Sequence, residues 1–215
     1  MVADSAGAPG TPGREEPLIP QAELRERLAT KSVAILGCGG LGSNCAALLV
    51  RSGVLSLTLV DHDRVEADNL NRQLFFADQV GMPKVDALAD TLRRIEPRVA
   101  LRLVQDSIDA QSILALLPGV DAIVEAVDSA ETKALICEAC ARAFPDVPLV
   151  SASGLAGLGS ANRIETVQVA ENLWVAGDLE SDIRDGHPLV ASRVMLAAAH
   201  EAHAVIRILV GLEGA

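Results

Sequence analysis

Continuous apolar runs alternate with amphipathic segments along most of the chain. Runs rich in Val, Ile and Leu predict five strands, at residues 32–37, 55–61, 99–105, 121–128 and 147–153. The intervening segments have helical spacing of apolar positions, at residues 40–53, 85–97, 109–117 and 130–144. Apolar runs without polar alternation are typical of strands buried on both faces. The repetition therefore predicts an α/β fold with a doubly wound, mostly parallel sheet.

The two ends of the chain depart from this repetition. Residues 1–20 are rich in Pro and Gly and lack an apolar period, so we expect a disordered tail there. Residues 21–30 carry leucines four positions apart, which predicts a short surface helix. After residue 153 a glycine-rich turn precedes a strand-like segment, 163–169, and a long helix at about 191–212. We expect one domain over residues 21–215, whose last part adds an antiparallel extension and a closing helix.

Composition and charge exclude several classes of protein. The 215 residues are 50% hydrophobic and 22% charged, as in globular proteins. No apolar run is long enough to span a bilayer and no secretion signal is recognisable, so we expect a cytoplasmic protein, no membrane partner and four reduced cysteines. A net charge of −11, with one Trp, three Phe and no Tyr, argues against nucleic acid as a partner.

A glycine-rich sequence joins the first predicted strand to the helix that follows it. Gly37, Gly39, Gly40 and Gly42 lie within a Gly-x-Gly-x-x-Gly pattern typical of Rossmann-like nucleotide-binding loops. Such glycines allow a tight turn, close approach to phosphate and close helix–strand packing. The second predicted strand ends at Asp61, where a carboxylate can accept hydrogen bonds from ribose hydroxyls. The pattern predicts a bound nucleotide without distinguishing ATP from NAD.

The segment between residues 61 and 73 favours ATP because it is dense in polar side chains. Cleavage between the α- and β-phosphates places charge on pyrophosphate, which calls for fixed cations and a metal ion. Arg72 and Lys84 are candidates for the cations, and Asp128, at the end of the fourth predicted strand, for holding Mg²⁺. Ligands of open α/β sheets bind at the carboxyl ends of the strands, so we expect these groups to converge. Taken singly, each also has an ordinary structural explanation, such as Asp128 serving as a helix N-cap.

Three sequences together closely resemble the ThiF-type adenylyltransferases, relatives of the ubiquitin-activating enzymes: GCGGLGSN, DHDRVEADNLNRQLFF and GMPKVDAL. The resemblance covers about residues 23–212, and the C-terminal part is most similar to the short branch associated with thiamine biosynthesis. It implies ATP-dependent adenylation of the C-terminal glycine carboxylate of a small ubiquitin-like sulfur carrier ending in Gly-Gly. It also implies Mg²⁺ as a cofactor and a homodimer.

The same resemblance assigns roles by position. The four glycines resemble the nucleotide loop, Asp61 the ribose ligand and Asp128 the magnesium ligand. The residues that resemble adenosine and phosphate contacts are Asp63, Asn69, Arg72, Gln73 and Lys84. An N-terminal arginine of such proteins typically reaches into the partner subunit's site, and both Arg25 and Arg27 remain candidates.

Two positions depart from the family pattern. After the strand-ending aspartate the family usually has asparagine and, a few residues on, arginine, where this chain has Ser129 and Lys133. Serine can still donate a hydrogen bond, and lysine keeps the charge without the bidentate fork. We expect the contacts to survive with less geometric control.

The cysteines argue against zinc and against sulfur chemistry on this chain. Cys137 and Cys140 have the spacing of half a zinc site, but no second pair follows. His200 and His203 lie one helical turn apart and are interpreted as a solvated helix face. Longer family members use a reactive cysteine after the nucleotide core. None follows Cys140 here, so we expect the reaction to stop at the acyl-adenylate unless one of the paired thiols is exposed.

Two alternatives remain open. An NAD-dependent oxidoreductase would share the glycine loop and Asp61, although about 60 residues after Ser153 leave little room for a substrate domain. A non-catalytic nucleotide-binding scaffold for the carrier is compatible with Ser129 and Lys133.

Overall fold

The computed structural model describes residues 17–212 and residue 214. Most of the predicted tail, residues 1–16, lies outside the described residues, and residues 17–20 have no regular secondary structure. The helices are α1 Gln21–Ala29, α2 Gly40–Ser52, α3 Lys84–Ile95, α4 Ala110–Leu116, α5 Ala130–Ala143 and α6 Ala191–Leu209. The strands are β1 Ser32–Leu36, β2 Ser56–Val60, β3 Ala100–Val104, β4 Ala122–Glu125, β5 Leu149–Ala152, β6 Glu165–Ala170 and β7 Leu173–Gly177.

Across the described residues the strands form one seven-stranded sheet in the order β3-β2-β1-β4-β5-β7-β6. All neighbouring pairs are parallel except β6 and β7, which run antiparallel. The predicted doubly wound, mostly parallel sheet with an antiparallel extension and a closing helix is therefore confirmed. Sequence analysis missed β7, which inserts between β5 and β6 and makes the extension two strands wide.

Helices cover both faces of the sheet. Successive side chains of a strand point to opposite faces, so an apolar strand presents apolar side chains on both of them. Val33 and Ile35 of β1 pack in a core with residues of α2, α3 and α6. Ala34 and Leu36 pack on the opposite face with residues of α4 and α5. The sheet is consequently buried on both sides, as its continuous apolar strands predict.

The connections after β1 and β3 leave in opposite directions, so the order of the strands reverses between β1 and β4. In open α/β sheets this reversal creates a crevice at the carboxyl ends of the strands. The glycine loop follows β1, Asp61 follows β2 and Asp128 comes shortly after β4. The topology thus directs the predicted site residues toward one edge of the sheet.

Candidate functional site

The glycine loop is packed too closely for side chains at two of its positions. Gly37 has φ +99°, and a Cβ there would lie 2.6 Å from the carbonyl oxygen of Ala126. A Cβ at Gly42 would lie 1.9 Å from the carbonyl oxygen of Gly37. These contacts press the start of α2 against the end of β1.

The space at Gly39 is open by comparison. Its nearest neighbour would be Nε2 of Gln73, at 3.8 Å from an added Cβ. Gly39 is the N-cap residue of α2 and offers no side-chain acceptor to the amides that follow it. Since the first amides of a helix lack partners inside the helix, this terminus is suited to an anion such as phosphate.

Asp61 ties the glycine loop to the end of β2. It is 7% exposed, and its Oδ2 accepts a hydrogen bond from Cys38 N at 2.7 Å. Its Oδ1 accepts from Asp63 N at 2.8 Å. Each carboxylate oxygen can accept a second hydrogen bond, so Asp61 can hold the loop and still bind a ribose hydroxyl.

Two polar residues of α2 that sequence analysis did not single out fix the segment at residues 72–74. Oγ of Ser43 donates to Gly39 O at 2.6 Å and accepts from Leu74 N at 3.0 Å. Nδ2 of Asn44 donates to Gly40 O at 2.7 Å and to Arg72 O at 3.1 Å. Their only sequence signal is a pair of short polar residues in the first turn of a largely buried helix.

Gln73 and Arg72 are therefore held beside the start of α2. Gln73 is 7% exposed, and its Oε1 has no hydrogen-bond partner in the described part of the chain. A buried amide oxygen without a donor costs about 1–3 kcal/mol, which a ligand N–H or O–H would recover. The Cγ of Arg72 lies 3.6 Å from the Cβ position of Gly40. Its guanidinium donates to neutral acceptors, including Asn71 Oδ1 at 2.8 Å.

Asn69 has a local structural role. Its Oδ1 accepts from Glu66 N at 3.1 Å and caps the short 3₁₀ turn that precedes Arg72. The predicted adenosine contact at Asn69 would have to be made by its remaining polar groups.

Lys84, the first residue of α3, is held at the end of β2. Its side chain is 9% exposed, and Nζ donates to Asp63 Oδ2 at 2.7 Å. The backbone joins the same two residues, because Lys84 N donates to Asp63 O at 2.9 Å. Burial opposes the effect, but the hydrogen bond and charge of Lys84 leave the pKa of Asp63 below its ordinary value. Asp63 in turn donates its backbone amide to Asp61, which accepts from Cys38 N, so a chain of hydrogen bonds links Lys84 to the glycine loop.

Asp128 is exposed and forms no hydrogen bond or ion pair within residues 17–212. The two nearby residues that depart from the family pattern, Ser129 and Lys133, form hydrogen bonds with other parts of the protein. Ser129 caps α5 by accepting a hydrogen bond from Thr132 N at 3.2 Å. Nζ of Lys133 donates to buried Glu125 and lies 3.3 Å from Ser151 Oγ. Contrary to our expectation for Lys133, its charge is directed into the protein.

An ion such as Mg²⁺ prefers oxygen ligands. One cluster of possible metal ligands was found among the described residues. It consists of Asp61, His62 and Asp63, whose ligand atoms lie within 4.8 Å of one another. Asp61 and Asp63 are already engaged with backbone amides and Lys84. The carboxylate of Asp128 is uncommitted and fits Mg²⁺ better.

A second polar cluster holds the loops after β5 and β7 against α6. Buried Arg193 donates to Gly159 O at 2.6 Å and to Asp178 Oδ2 at 2.7 Å. One turn of α6 is thereby fixed beside the site, where Cγ1 of Val194 lies 2.8 Å from the Cβ position of Gly40.

Neither candidate N-terminal arginine lies at the site of its own chain. Arg25 packs against Gly53, at the end of α2 that lies about 20 Å from the glycine loop for a helix of this length. Arg27 is exposed and pairs with Glu23. A role for either residue in a partner subunit stays a prediction.

Burial favours the protonated form of the cysteine thiols. Burial raises the pKa of the thiols of Cys38, Cys45 and Cys137, and it raises that of Cys140 to about 12. All four thiols are therefore protonated at neutral pH.

His200 does not lie on a solvated face as interpreted from the sequence. Its Nδ1 lies 3.0 Å from Thr166 Oγ1 on β6, and burial lowers its pKa. His203, one turn later, is exposed.

Comparison with known proteins shows the family of the chain. Residues 15–211 match the model of the ThiF family. The chain is 38% identical over 128 residues to ubiquitin-like modifier-activating enzyme 5 of Oryza sativa subsp. japonica, covering 54% of this chain and 30% of that protein. It is 38% identical over 141 residues to the adenylyltransferase and sulfurtransferase MOCS3 of Mus musculus, covering 64% of this chain and 30% of that protein.

A solved structure shares the fold at lower identity. Escherichia coli tRNA N6-threonylcarbamoyladenosine dehydratase, TcdA, in complex with ATP, superimposes with a TM-score of 0.80 at 21% identity, over 87% of this chain and 89% of that one. None of the described helices is long and apolar enough to cross a membrane.

Proposed function

Because the chain belongs to the ThiF family, we propose that it adenylates the C-terminal glycine carboxylate of a ubiquitin-like sulfur carrier protein ending in Gly-Gly. ATP is the co-substrate, the products are the acyl-adenylate and pyrophosphate, and the pathway is thiamine biosynthesis. The names of the relatives, a ubiquitin-like modifier-activating enzyme and an adenylyltransferase, support this reaction class. The chain spans about a third of the length of these relatives, so substrate and partner belong to the proposal.

One observation carries the proposal: groups from separate stretches surround the start of α2. Arg72 and Gln73 lie against Gly40 and Gly39, while Lys84 is linked to the glycine loop by hydrogen bonds through Asp63 and Asp61, which accepts from Cys38 N. A dinucleotide site meets the charge of its pyrophosphate chiefly with the helix N-terminus, a contribution of about 0.3–1 kcal/mol. Two added cations suit a triphosphate whose leaving group gains charge.

In the proposed reaction, the carrier carboxylate attacks the α-phosphorus of ATP. A carboxyl oxygen–phosphorus bond forms, the bond from phosphorus to the bridging oxygen breaks, and pyrophosphate leaves. The carboxylate is already ionised at neutral pH, so no general base is required. Asp61 binds the ribose, Asp63, Asn69 and Gln73 contact the nucleotide, and Arg72 and Lys84 stabilise the charge on the phosphates.

Asp128 is the proposed ligand of Mg²⁺. When bound, the ion would neutralise charge on the phosphate oxygens. We also propose a homodimer in which Arg25 or Arg27 approaches the partner's site. The four protonated thiols favour a reaction that stops at the acyl-adenylate, with sulfur transfer left to another protein.

The test is pyrophosphate exchange into ATP with purified Gly-Gly carrier protein. We expect Arg72→Ala to lower carrier-dependent exchange about 10²- to 10³-fold, the effect of removing a preorganised charge-stabilising group. Arg142→Ala is the matched control, because that exposed arginine pairs with Glu138 on α5 and should exchange at the wild-type rate. Near wild-type exchange by Arg72→Ala would show that the assigned role is wrong.

The solved structure of TcdA raises a second acceptor, tRNA. A net charge of −11 disfavours a phosphate backbone, so we place tRNA second.

Binding of ATP without carrier-dependent exchange would favour a non-catalytic scaffold. Tight binding of NADH without binding of ATP would favour an oxidoreductase.

A further inference from the structure

Glu125, the last residue of β4, is fully buried and satisfied on both carboxylate oxygens. Its Oε1 accepts a hydrogen bond from Val127 N at 2.9 Å. Its Oε2 accepts from Ser151 Oγ at 2.5 Å and from Nζ of Lys133. One side chain therefore joins the turn after β4, the strand β5 and the start of α5.

The turn held in this way carries Asp128. Ala126 N donates to Leu36 O at 2.8 Å, which continues the pairing of β4 with β1 for one residue. The next amide, that of Val127, is bound by Glu125, and Asp128 follows directly before α5 begins. Because Asp128 forms no hydrogen bond or ion pair within the described chain, the position of its carboxylate depends on this turn.

A buried carboxylate destabilises the fold unless it is paired and hydrogen-bonded, and an apolar side chain would fill a strand end as well. The side chain at this position is instead a carboxylate, and its Oε2 is paired with the ammonium of Lys133. Residues outside the metal's own ligands can orient those ligands through hydrogen bonds, and Glu125 does so one step removed, through the backbone of Val127.

We propose that Glu125 is a positioning residue, which sets the place of Asp128 through Val127 and is itself held by Lys133 and Ser151. This inference rests on the proposed function, in which Asp128 binds the divalent ion. It also gives Lys133 a role that differs from the nucleotide contact expected of an arginine at that position.

Metal binding tests the inference without turnover. Mn²⁺ serves as the probe, titrated in the presence of α,β-methylene-ATP and followed by electron paramagnetic resonance. Glu125→Gln keeps the shape but presents an amide donor to the ammonium of Lys133, so the cluster must rearrange. We expect Mn²⁺ affinity to fall about tenfold or more, as for other residues that support a metal ligand, with metal-free analogue binding unchanged.

Asp121→Asn is the matched control. Asp121 also accepts hydrogen bonds from a lysine ammonium and a backbone amide, Lys31 Nζ at 3.1 Å and Ser32 N at 2.8 Å, but it lies at the opposite end of β4. This carboxylate-to-amide substitution should leave Mn²⁺ affinity at the wild-type value. Wild-type Mn²⁺ affinity in Glu125→Gln would overturn the inference, because a purely structural residue would change the melting temperature alone.

Lys133 supplies a second, independent comparison. Lys133→Arg retains a charged donor to Glu125 and should stay within about threefold of wild type, whereas Lys133→Met should weaken Mn²⁺ binding about tenfold. Equal affinities of these two variants would overturn the inference even if Glu125→Gln does not fold.

Asp128→Asn separates the two hypotheses. If Asp128→Asn retains Mn²⁺ affinity, the metal ligand assigned under the proposed function is wrong. If Asp128→Asn loses affinity while Glu125→Gln retains it, the positioning role alone fails.

Discussion

Replacement of Glu201 by Met is expected to stabilise the protein. Glu201 lies in the middle of α6, is 0% exposed, and neither of its carboxylate oxygens has a hydrogen-bond partner in the described chain. Burial, with the charge of Glu125, raises its pKa well above 4.5. Folding therefore favours the protonated form of this carboxyl group relative to the unfolded chain.

The sign and size of the effect follow from proton linkage. A carboxyl group whose pKa is raised by folding contributes its full stability below the unfolded value of about 4.3 and loses it as pH rises toward the folded pKa. Within that window the free energy of unfolding falls by about 1.4 kcal/mol per pH unit for one group. Even protonated, an unsatisfied buried polar group costs about 1–3 kcal/mol, so Met should gain at least that at neutral pH.

Urea unfolding at pH 5, 7 and 8.5 measures this prediction, and Glu201→Gln separates its two parts. Gln is equally polar but cannot ionise, so it should remove the pH slope and keep the cost of the unsatisfied group. Met should remove both. A Met variant less stable than wild type at pH 8.5, with an unchanged pH slope, would refute the reasoning, because the carboxyl group would then have a partner in solution.

Three further predictions concern other parts of the molecule. Gly42→Ala should lower the free energy of unfolding by about 1–3 kcal/mol, because a Cβ would lie 1.9 Å from a backbone oxygen, and the same variant should bind ATP more weakly in calorimetry. Asp178→Asn should cost about 3–5 kcal/mol in urea unfolding, since it leaves the buried guanidinium of Arg193 without its counter-ion, and an unchanged midpoint would contradict the pairing. Cys140, with a pKa of about 12, should react with a thiol reagent at pH 7 only after unfolding, so rapid labelling of Cys140 itself in native protein, distinguished from half-buried Cys137 by peptide mass spectrometry, would contradict its burial.

The β–α repetition was predictable because each buried strand is a local apolar run and each helix has its own period. Strand β7 was not predictable, because Leu173–Gly177 is a run of only five residues that follows β6 closely. No clear turn signal in the sequence separates the two strands. Its identity as a strand depends on pairing with both β5 and β6.

The loop glycines were predictable for a similar reason, because their spacing reports backbone geometry directly. The supporting contacts were not. Ser43 and Asn44 act on residues about 30 positions away, and the role of Glu125 depends on α5 and β5 meeting at the end of β4. Arg25 and Arg27 stay undecided, because an arrangement between two subunits leaves no pattern within one sequence.

The contact between Val194 and the glycine loop has a consequence for biosynthesis. The loop is translated before α6, yet Val194 of α6 lies against it, and α6 packs along α2. During synthesis, the glycine loop would lack its contact with Val194 until α6 has left the ribosome and packed against α2. ATP should therefore protect the far C-terminal helix from proteases, and a fragment that stops before this helix should be unable to retain ATP.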